Sequence, residues 1–386
     1  MSPKNWVLTD VDRDIHLDDW QASAGELGDA SGATRVAKRT LRGGLRDGVG
    51  IVEVEHGGLK FVVLPDRGMG LWRVWRGDVE LGWPSPVKGP VNPRYVPTDA
   101  ASGIGWLTGF DEFLCRCGLE YNGPPEWDDA GRLKHTLHGR IANLPAHRLE
   151  VAVEADGRIA VTGVVDEARL FGNNLRLAST VRTRIGEPRL WITDQVTNLS
   201  SVPADLELLY HINMGPPLAA PGSKVYLPLR RLAPRDAGSA RGVADWQTYE
   251  AEQPGVAETV LYFELAADRS GNTAALITDP RQARGASLAF NCNQLPRFIV
   301  WKNPQPRSDG YCTGLEPAIN FPNVKSFEKA QGRVLVLAPG ESRVFEIEIR
   351  IHGSEGEVLE ARRRIEALQG GIAPEIHSAP LPGWSP

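Results

Sequence analysis

The feature of this sequence that most constrains its fold is a succession of short runs in which apolar and polar residues alternate. Such alternation places apolar side chains on one face of a strand, and it is clearest at 148–154, 158–165, 174–185 and 189–198. The pattern predicts an all-β chain of roughly seventeen mostly antiparallel strands, packed as a large β-sandwich with little helix. The other predicted strands are 37–41, 49–55, 59–64, 71–75, 79–83, 205–210, 224–227, 258–265, 273–278, 286–291, 298–301, 333–337 and 342–351.

No linker rich in Pro and Ser and no internal repeat divides the chain. We therefore predict one sandwich domain over residues 36–352, preceded by an irregular lead-in at 1–35. Residues 353–386 are predicted to add a helix, with helical spacing at 355–368, and a proline-rich tail packed on the same domain. The 41 glycines and 29 prolines fit a fold with many turns.

Charge and hydropathy exclude two classes of partner. The net charge of −5 and the pI near 6.0 argue against a nucleic-acid surface, which would need clustered Lys and Arg. No run of eighteen apolar residues is present, so no membrane span is expected. The first residues show no apolar secretory segment, and a cytoplasmic location is the resulting expectation. The oligomeric state is left open.

The four cysteines do not have the spacing of a metal site. Cys115 and Cys117 are separated by one residue, whereas zinc sites favour two to four, and no second pair follows. The other two, Cys292 and Cys312, are isolated. We expect reduced thiols, no metal and no cofactor.

The stretch Tyr210-His211-Ile212-Asn213 ends a predicted strand and precedes Gly215 and two prolines. Such a position holds an imidazole at the rim of a cavity, although a single histidine is more often structural. Asn213 could equally contact a substrate or belong to a turn.

Glu316, between apolar neighbours in Thr313-Gly314-Leu315-Glu316-Pro317, is predicted to be half-buried at the end of a strand and to need a partner.

Two further polar segments are candidates for binding. His138 and Arg140 lie in Thr136-Leu137-His138-Gly139-Arg140, where the glycine permits close approach of a ligand. Arg67, in Pro65-Asp66-Arg67-Gly68, offers a fork of hydrogen-bond donors, or else a surface pair with an aspartate.

Taken together, these segments resemble the aldose 1-epimerase, or galactose mutarotase, superfamily. The resemblance runs from about residue 57 to 340 and rests on four segments in the family's order: Leu137-His138-Gly139, Asp194-Gln195-Val196-Thr197-Asn198-Leu199-Ser200, Tyr210-His211-Ile212-Asn213-Met214-Gly215 and Gly314-Leu315-Glu316-Pro317. It implies a β-supersandwich and a sugar as the small-molecule partner. By the same resemblance, Glu316 is the general base, His211 the general acid, and His138 and Arg67 bind the sugar.

The sequence also departs from this family. A long stretch at 103–127, which contains Arg116 and Glu120, has no counterpart in the family pattern and is predicted to be a functional loop. Trp301 and Lys302 also differ, and we predict that both contribute to the site. Lys302, Arg116 and Arg67 would make the pocket cationic and would suit an anionic or modified sugar. Four aromatic residues are candidates for an apolar floor: Trp106, Tyr121, Trp301 and Tyr311.

Three functions remain open from the sequence. A mutarotase would use Glu316 and His211 to open and close the sugar ring, without metal or covalent intermediate. A sugar isomerase or lyase could use the same pair to move a proton on carbon. A non-catalytic carbohydrate-binding protein would not require both residues. Carbon-bound deuterium after incubation in D₂O separates the second function from the first.

Overall fold

The computed structural model describes residues 3–77 and 79–386, and strands account for 43% of the chain and helices for 13%. The prediction of an all-β chain with little helix is therefore confirmed. The strands within the described residues are β1 (Lys4–Asp10), β2 (Ile15–His16), β3 (Trp20–Ala22), β4 (Arg35–Thr40), β5 (Gly50–His56), β6 (Leu59–Leu64), β7 (Gly70–Arg76), β8 (Val79–Leu81), β9 (Leu114–Leu119), β10 (Glu126–Trp127), β11 (Leu133–His135), β12 (Arg148–Val153), β13 (Arg158–Ala168), β14 (Asn174–Arg184), β15 (Arg189–Asn198), β16 (Ala204–Met214), β17 (Lys224–Tyr226), β18 (Leu229–Pro234), β19 (Thr259–Leu265), β20 (Asn272–Thr278), β21 (Gly285–Asn291), β22 (Arg297–Asn303), β23 (Cys312–Ala318), β24 (Leu335–Leu337), β25 (Ser342–His352) and β26 (Glu375–Ile376).

The described residues contain few helices. They are α1 (Ala100–Gly103), α2 (Lys325–Ala330) and α3 (Glu355–Gln369), together with short 3₁₀ segments between strands. The helix predicted at 355–368 corresponds to α3, whose N-cap Ser354 accepts a hydrogen bond from the backbone N–H of Glu357. It packs Val358 and Ile365 against one sheet. None of the helices in the described part of the chain is long and apolar enough to cross a membrane.

Two large sheets form a sandwich. One has the strand order β17-β20-β21-β25-β15-β14-β13-β12-β1-β2. The other runs β26-β18-β19-β22-β23-β16-β9-β7-β6-β5-β4-β3, with β24 and β8 paired to its side. The pairing in both sheets is antiparallel except between β18 and β26. The main core lies between the sheets and draws on both, for example Val161 and Ile192 from the first and Phe61 and Leu208 from the second.

Four segments differ from the prediction. Lys4–Asp10 pairs with β12, so the lead-in is not irregular. Leu114–Leu119, inside the predicted loop at 103–127, is a fully buried strand of the second sheet. The strand predicted at 205–210 continues to Met214, and Cys312–Ala318 is a strand although it contains Gly and Pro. The last three are covered on both faces, so they lack the alternation that marks a half-exposed strand.

Candidate active site

The outer face of the second sheet, turned away from the main core, carries the polar residues of interest. In β16 the even-numbered side chains, such as Tyr210 and Ile212, point into the core, and the odd-numbered Leu209 belongs to a separate cluster on the outer face. Because side chains alternate along a strand, His211 and Asn213 also point outward. The same alternation places Glu316 of β23 and Trp301 of β22 on this face.

A cavity of about 560 Å³ lies over these strands. His138, His211, Glu316 and Trp301 line it from the sheet side, so the structure brings together these four of the predicted site residues. Trp106 and Phe110, from the segment that precedes β9, form its aromatic side. The Phe110 ring meets the His211 ring edge-on at 5.1 Å, and Trp106 meets His138 at 4.9 Å. The segment 103–127, predicted to be a functional loop, thus contributes Trp106 and Phe110 to the cavity wall, whereas its residues 114–119 form β9 and are not a loop.

His211 and Glu316 place an imidazole beside a carboxyl group in the wall of this cavity. His211 Nε2 lies 3.3 Å from Glu316 Oε1, and that oxygen is buried without a hydrogen-bond partner. Burial, and then the charge of Cys117, raise the pKa of Glu316 well above its usual range. Burial, followed by the nearby charge of His138, lowers the pKa of His211 to about 3. The resting pair therefore favours a neutral imidazole beside a protonated carboxyl group.

Asn213 determines which nitrogen of His211 faces the cavity. Its Nδ2 donates to the backbone oxygens of Glu112 at 2.9 Å and His211 at 3.2 Å, so its Oδ1 must act as the acceptor toward the ring. His211 Nδ1 donates to that oxygen. The lone pair of the neutral ring is then on Nε2, which is directed at Glu316. Asn213 is thus a positioning residue behind His211 and does not line the cavity.

Gly314 creates the room in which the pair meets. It lies two residues before Glu316 on β23 and pairs with Asn213 of β16. A Cβ at this position would come within 2.9 Å of His211 Cε1 and closer still to Glu316 Oε1. No side chain can therefore occupy position 314 without displacing the carboxyl group or the imidazole.

His138 is held beside the pair by its backbone and by a thiol. Its φ of +60° lies in the left-handed region, and its ring Nδ1 donates to the backbone oxygen of Asn122 at 2.8 Å. Burial opposes a charge on this ring, but Cys117 raises the pKa of His138 to about 9. Burial likewise opposes a thiolate, but Cys115 and His138 lower the pKa of Cys117 to about 6. These two shifts favour an imidazolium at His138 beside a thiolate at Cys117.

Arg67 and Arg116, both predicted to bind substrate, are structural instead. The Arg67 side chain is fully buried, pairs with Glu112, and donates to the backbone oxygens of Val91 and Gly109, each at 3.0 Å. Arg116 points from β9 into the core, because it lies between the outward Cys115 and Cys117. It pairs there with Asp194 of the opposite sheet.

Three other predicted residues also lie away from the cavity. Lys302 follows Trp301 in β22 and points to the other face, where its Nζ donates to the backbone oxygens of Trp246 and Thr248. Glu120 pairs with Arg169, and with Arg140 it lines a separate cleft of about 140 Å³. Of the four predicted floor residues, Trp106 and Trp301 line the cavity, whereas the Tyr121 and Tyr311 hydroxyl groups donate to backbone oxygens elsewhere.

The prediction of a cationic pocket is therefore wrong, because its three cations are used inside the protein. Besides its two histidines, the charged side chains among the described residues of the cavity wall are Arg235, Asp236, Glu258 and Glu316. Sequence reasoning singled out none of the first three: Arg235 and Asp236 lie in the segment 229–257, where no strand was predicted, and Glu258 begins the predicted strand 258–265. A usable signal was present, since Arg235 directly follows the buried run Leu232–Pro234 of β18.

Several solved structures have a similar architecture. A crystal structure of a "putative aldose 1-epimerase" from Klebsiella pneumoniae shares 31% identity with this chain, with a TM-score of 0.95. The match covers 98% of this chain and 99% of its own. A galactose mutarotase-like protein from Clostridium acetobutylicum shares 15% identity with a TM-score of 0.55, over 87% of this chain and 99% of its own. Galactose 1-epimerase from Lactobacillus acidophilus shares 11% identity with a TM-score of 0.55, and the match covers 83% of this chain and 99% of its own. No curated protein matches.

The fold is that of the galactose mutarotase-like proteins, as the resemblance predicted. A family profile described as a domain of unknown function, DUF4432, matches residues 46–351. The chain belongs to this DUF4432 family, whose activity its description leaves open.

Proposed function

We propose that this protein is a carbohydrate-active enzyme of the aldose 1-epimerase type, which interconverts the anomers of a sugar. The observation that carries the proposal is the contact of 3.3 Å between His211 Nε2 and Glu316 Oε1 on the wall of an aromatic cavity. The anomeric hydroxyl oxygen and the ring oxygen of a sugar are bonded to the same carbon. An acid and a base this close to each other can contact both oxygens at once.

The chemistry needs one proton on the pair. Transfer of that proton from Glu316 to His211 Nε2 gives a carboxylate and an imidazolium without any change in total charge. The carboxylate takes the proton of the anomeric hydroxyl group, and the imidazolium gives its proton to the ring oxygen. The bond between the anomeric carbon and the ring oxygen breaks, leaving an open-chain aldehyde. Rotation about the adjacent carbon–carbon bond and the reverse proton transfers close the other anomer.

The surroundings of the pair support these roles. Asn213 keeps the proton on Nδ1, so only Nε2 is available to exchange a proton with substrate. The cationic His138 is suited to stabilise negative charge that develops on a sugar oxygen. Trp301, Trp106 and Phe110 provide apolar faces for the C–H groups of a sugar ring.

The proposal is tested by following anomer exchange. Freshly dissolved single anomers of neutral aldoses would be mixed with the protein and followed by polarimetry, and exchange would be measured at equilibrium by NMR. We expect exchange faster than in buffer, and no deuterium on carbon when the reaction is run in D₂O. Deuterium on carbon would instead indicate an isomerase or lyase. Binding without exchange or deuterium would indicate a non-catalytic carbohydrate-binding protein.

A further inference from the structure

A second polar cluster lies in the same cavity as His211 and Glu316. Arg235 Nε donates to Asp236 Oδ2 at 2.8 Å, and its Nη2 donates to Glu258 Oε1 at 3.0 Å. Trp301 Nε1 donates to Glu258 Oε2 at 2.7 Å. The side chains of Asp236 and Glu258 remain 45% and 44% exposed, so both carboxylates have oxygen lone pairs available to a ligand.

The strand order separates this cluster from the His211–Glu316 pair. Glu258 immediately precedes β19, which is two strands away from β23, and Arg235 immediately follows β18, which is three strands away. Neighbouring strands are about 5 Å apart, so the two positions lie roughly 10 and 14 Å across the sheet from Glu316. A single sugar ring that contacts both His211 and Glu316 leaves the end of the cavity at Arg235 and Glu258 unfilled.

Trp301 connects the two ends. Its ring lies 5.4 Å from the His211 ring, while its Nε1 is fixed by Glu258. The hydrogen bond holds the indole in one orientation, so that it presents an apolar surface between the two polar groups. Sugar rings pack their C–H faces on such surfaces.

The C-terminal segment bounds the cavity at Ser385 and Pro386. This segment is anchored, because Asn323 Nδ2 donates to the backbone oxygen of Trp384 at 2.8 Å and Arg333 Nη1 donates to that of Gly383 at 2.7 Å. The Trp384 ring also packs on Phe321 at 4.9 Å. The wall is therefore fixed by contacts to the same region of the sheet and is not a loose tail.

We propose that the Arg235–Asp236–Glu258 cluster is a second sugar subsite, which binds the non-reacting ring of a neutral reducing disaccharide. The inference rests on the proposed function and names its substrate class. Hydroxyl groups of the second ring donate to the carboxylates of Asp236 and Glu258, while Trp301 supports the link between the rings. Two carboxylates against one arginine favour hydroxyl donors over an anionic substituent. The volume of 560 Å³ falls within the range of roughly 300–1,000 Å³ for pockets that enclose drug-sized ligands.

The test compares neutral aldohexoses with reducing disaccharides that carry the same aldohexose at the reducing end. Dissociation constants would be measured by calorimetry on the full chain, and saturation-transfer NMR would show which ring contacts the protein. We expect the best disaccharide to bind about tenfold or more tightly than its monosaccharide, with saturation on both rings. Asp236→Ala and Glu258→Ala should reduce this preference severalfold, whereas the control Glu252→Gln, at an exposed residue paired with Arg307 outside the cavity, should retain it.

The outcomes separate the subsite from the proposed function. Exchange on monosaccharides with no disaccharide preference and no saturation of the second ring would overturn the subsite and leave the mutarotase intact. Disaccharide binding that depends on Asp236 and Glu258, without anomer exchange, would support the subsite and overturn the mutarotase. If no sugar in either group bound, both would be overturned.

Discussion

His211 Nε2 and Glu316 Oε1 face each other across the pairing of β16 with β23, 3.3 Å apart. Their chain positions are more than a hundred residues apart, and the antiparallel register is what brings them opposite each other. Burial raises the pKa of Glu316 and lowers that of His211, and both shifts favour a resting pair whose single proton is on the carboxyl group.

Replacing either member of the pair should abolish most of the activity without unfolding the protein. Glu316→Gln removes the base and His211→Asn removes the acid, and each should lower kcat for anomer exchange by about 10²- to 10⁴-fold. Circular dichroism would confirm an unchanged sheet content. Wild-type exchange in either variant would show that the acid–base assignment is incorrect.

The pH dependence of kcat/KM should differ from that of an ordinary histidine. The active pair carries one proton, and it gains a second only as the pH falls toward the His211 pKa of about 3. Activity should therefore be flat from pH 7 down to about pH 4. It should decline on the alkaline side, where Glu316 loses its proton and His138, whose pKa is about 9, loses its charge. A loss of activity centred near pH 6.5 would contradict this state of the pair.

Gly314→Ala should impair catalysis through geometry alone. The added Cβ meets Glu316 Oε1 and lies 2.9 Å from His211 Cε1, so one of the two groups must move. We expect kcat to fall by about tenfold or more, since displacement of about 1 Å at a reacting group can cost up to 10²-fold. Gly356→Ala is the control, because a Cβ there meets nothing within 4 Å. Equal activity of the two variants would argue against a role for the 3.3 Å contact.

Cys117→Ser should lower the pKa of His138. The negative charge of Cys117 and its hydrogen bond to the ring raise that pKa to about 9 against the effect of burial, and a serine hydroxyl group does not supply this charge. NMR titration of the histidine Cε1–H resonances would show the change, and the alkaline limb of kcat/KM should move to lower pH. Cys292→Ser, at a half-buried position away from the cavity, is the matched control. An unchanged His138 titration would exclude the imidazolium–thiolate pair.

Arg116→Met should destabilise the fold, which separates a structural role from substrate binding. It leaves Asp194 buried with only the Tyr210 hydroxyl group and without its cation. We expect the free energy of unfolding to fall by about 3–5 kcal/mol, measured by urea denaturation. The double variant Arg116→Met/Asp194→Leu should recover much of this loss, because it also removes the unpaired charge. A raised KM with an unchanged free energy of unfolding would show instead that Arg116 binds substrate.

Much of the fold was predictable because its signal is local. Half-exposed strands such as β14 and β15 alternate along their own sequence, and their bounds were predicted to within one residue. Strands covered on both faces, such as β9 and β23, carry no alternation and were missed or interpreted as loops. Their formation depends on what covers them, which is contributed by distant parts of the chain.

For the site, the sequence by itself identified the chemical groups, and only the tertiary structure decided their directions. His138, His211, Trp301 and Glu316 were singled out by residue type and motif order, and all four line the cavity. Arg116 and Lys302 each lie next to an outward residue in their strand, and for that reason both face the core. A shift of one residue reverses the face of a strand, and that parity is set by pairing between strands far apart in sequence. For the same reason, the sequence alone does not place Asp236 and Glu258 in the cavity, because their positions depend on the pairing of β18 with β19 and of β19 with β22.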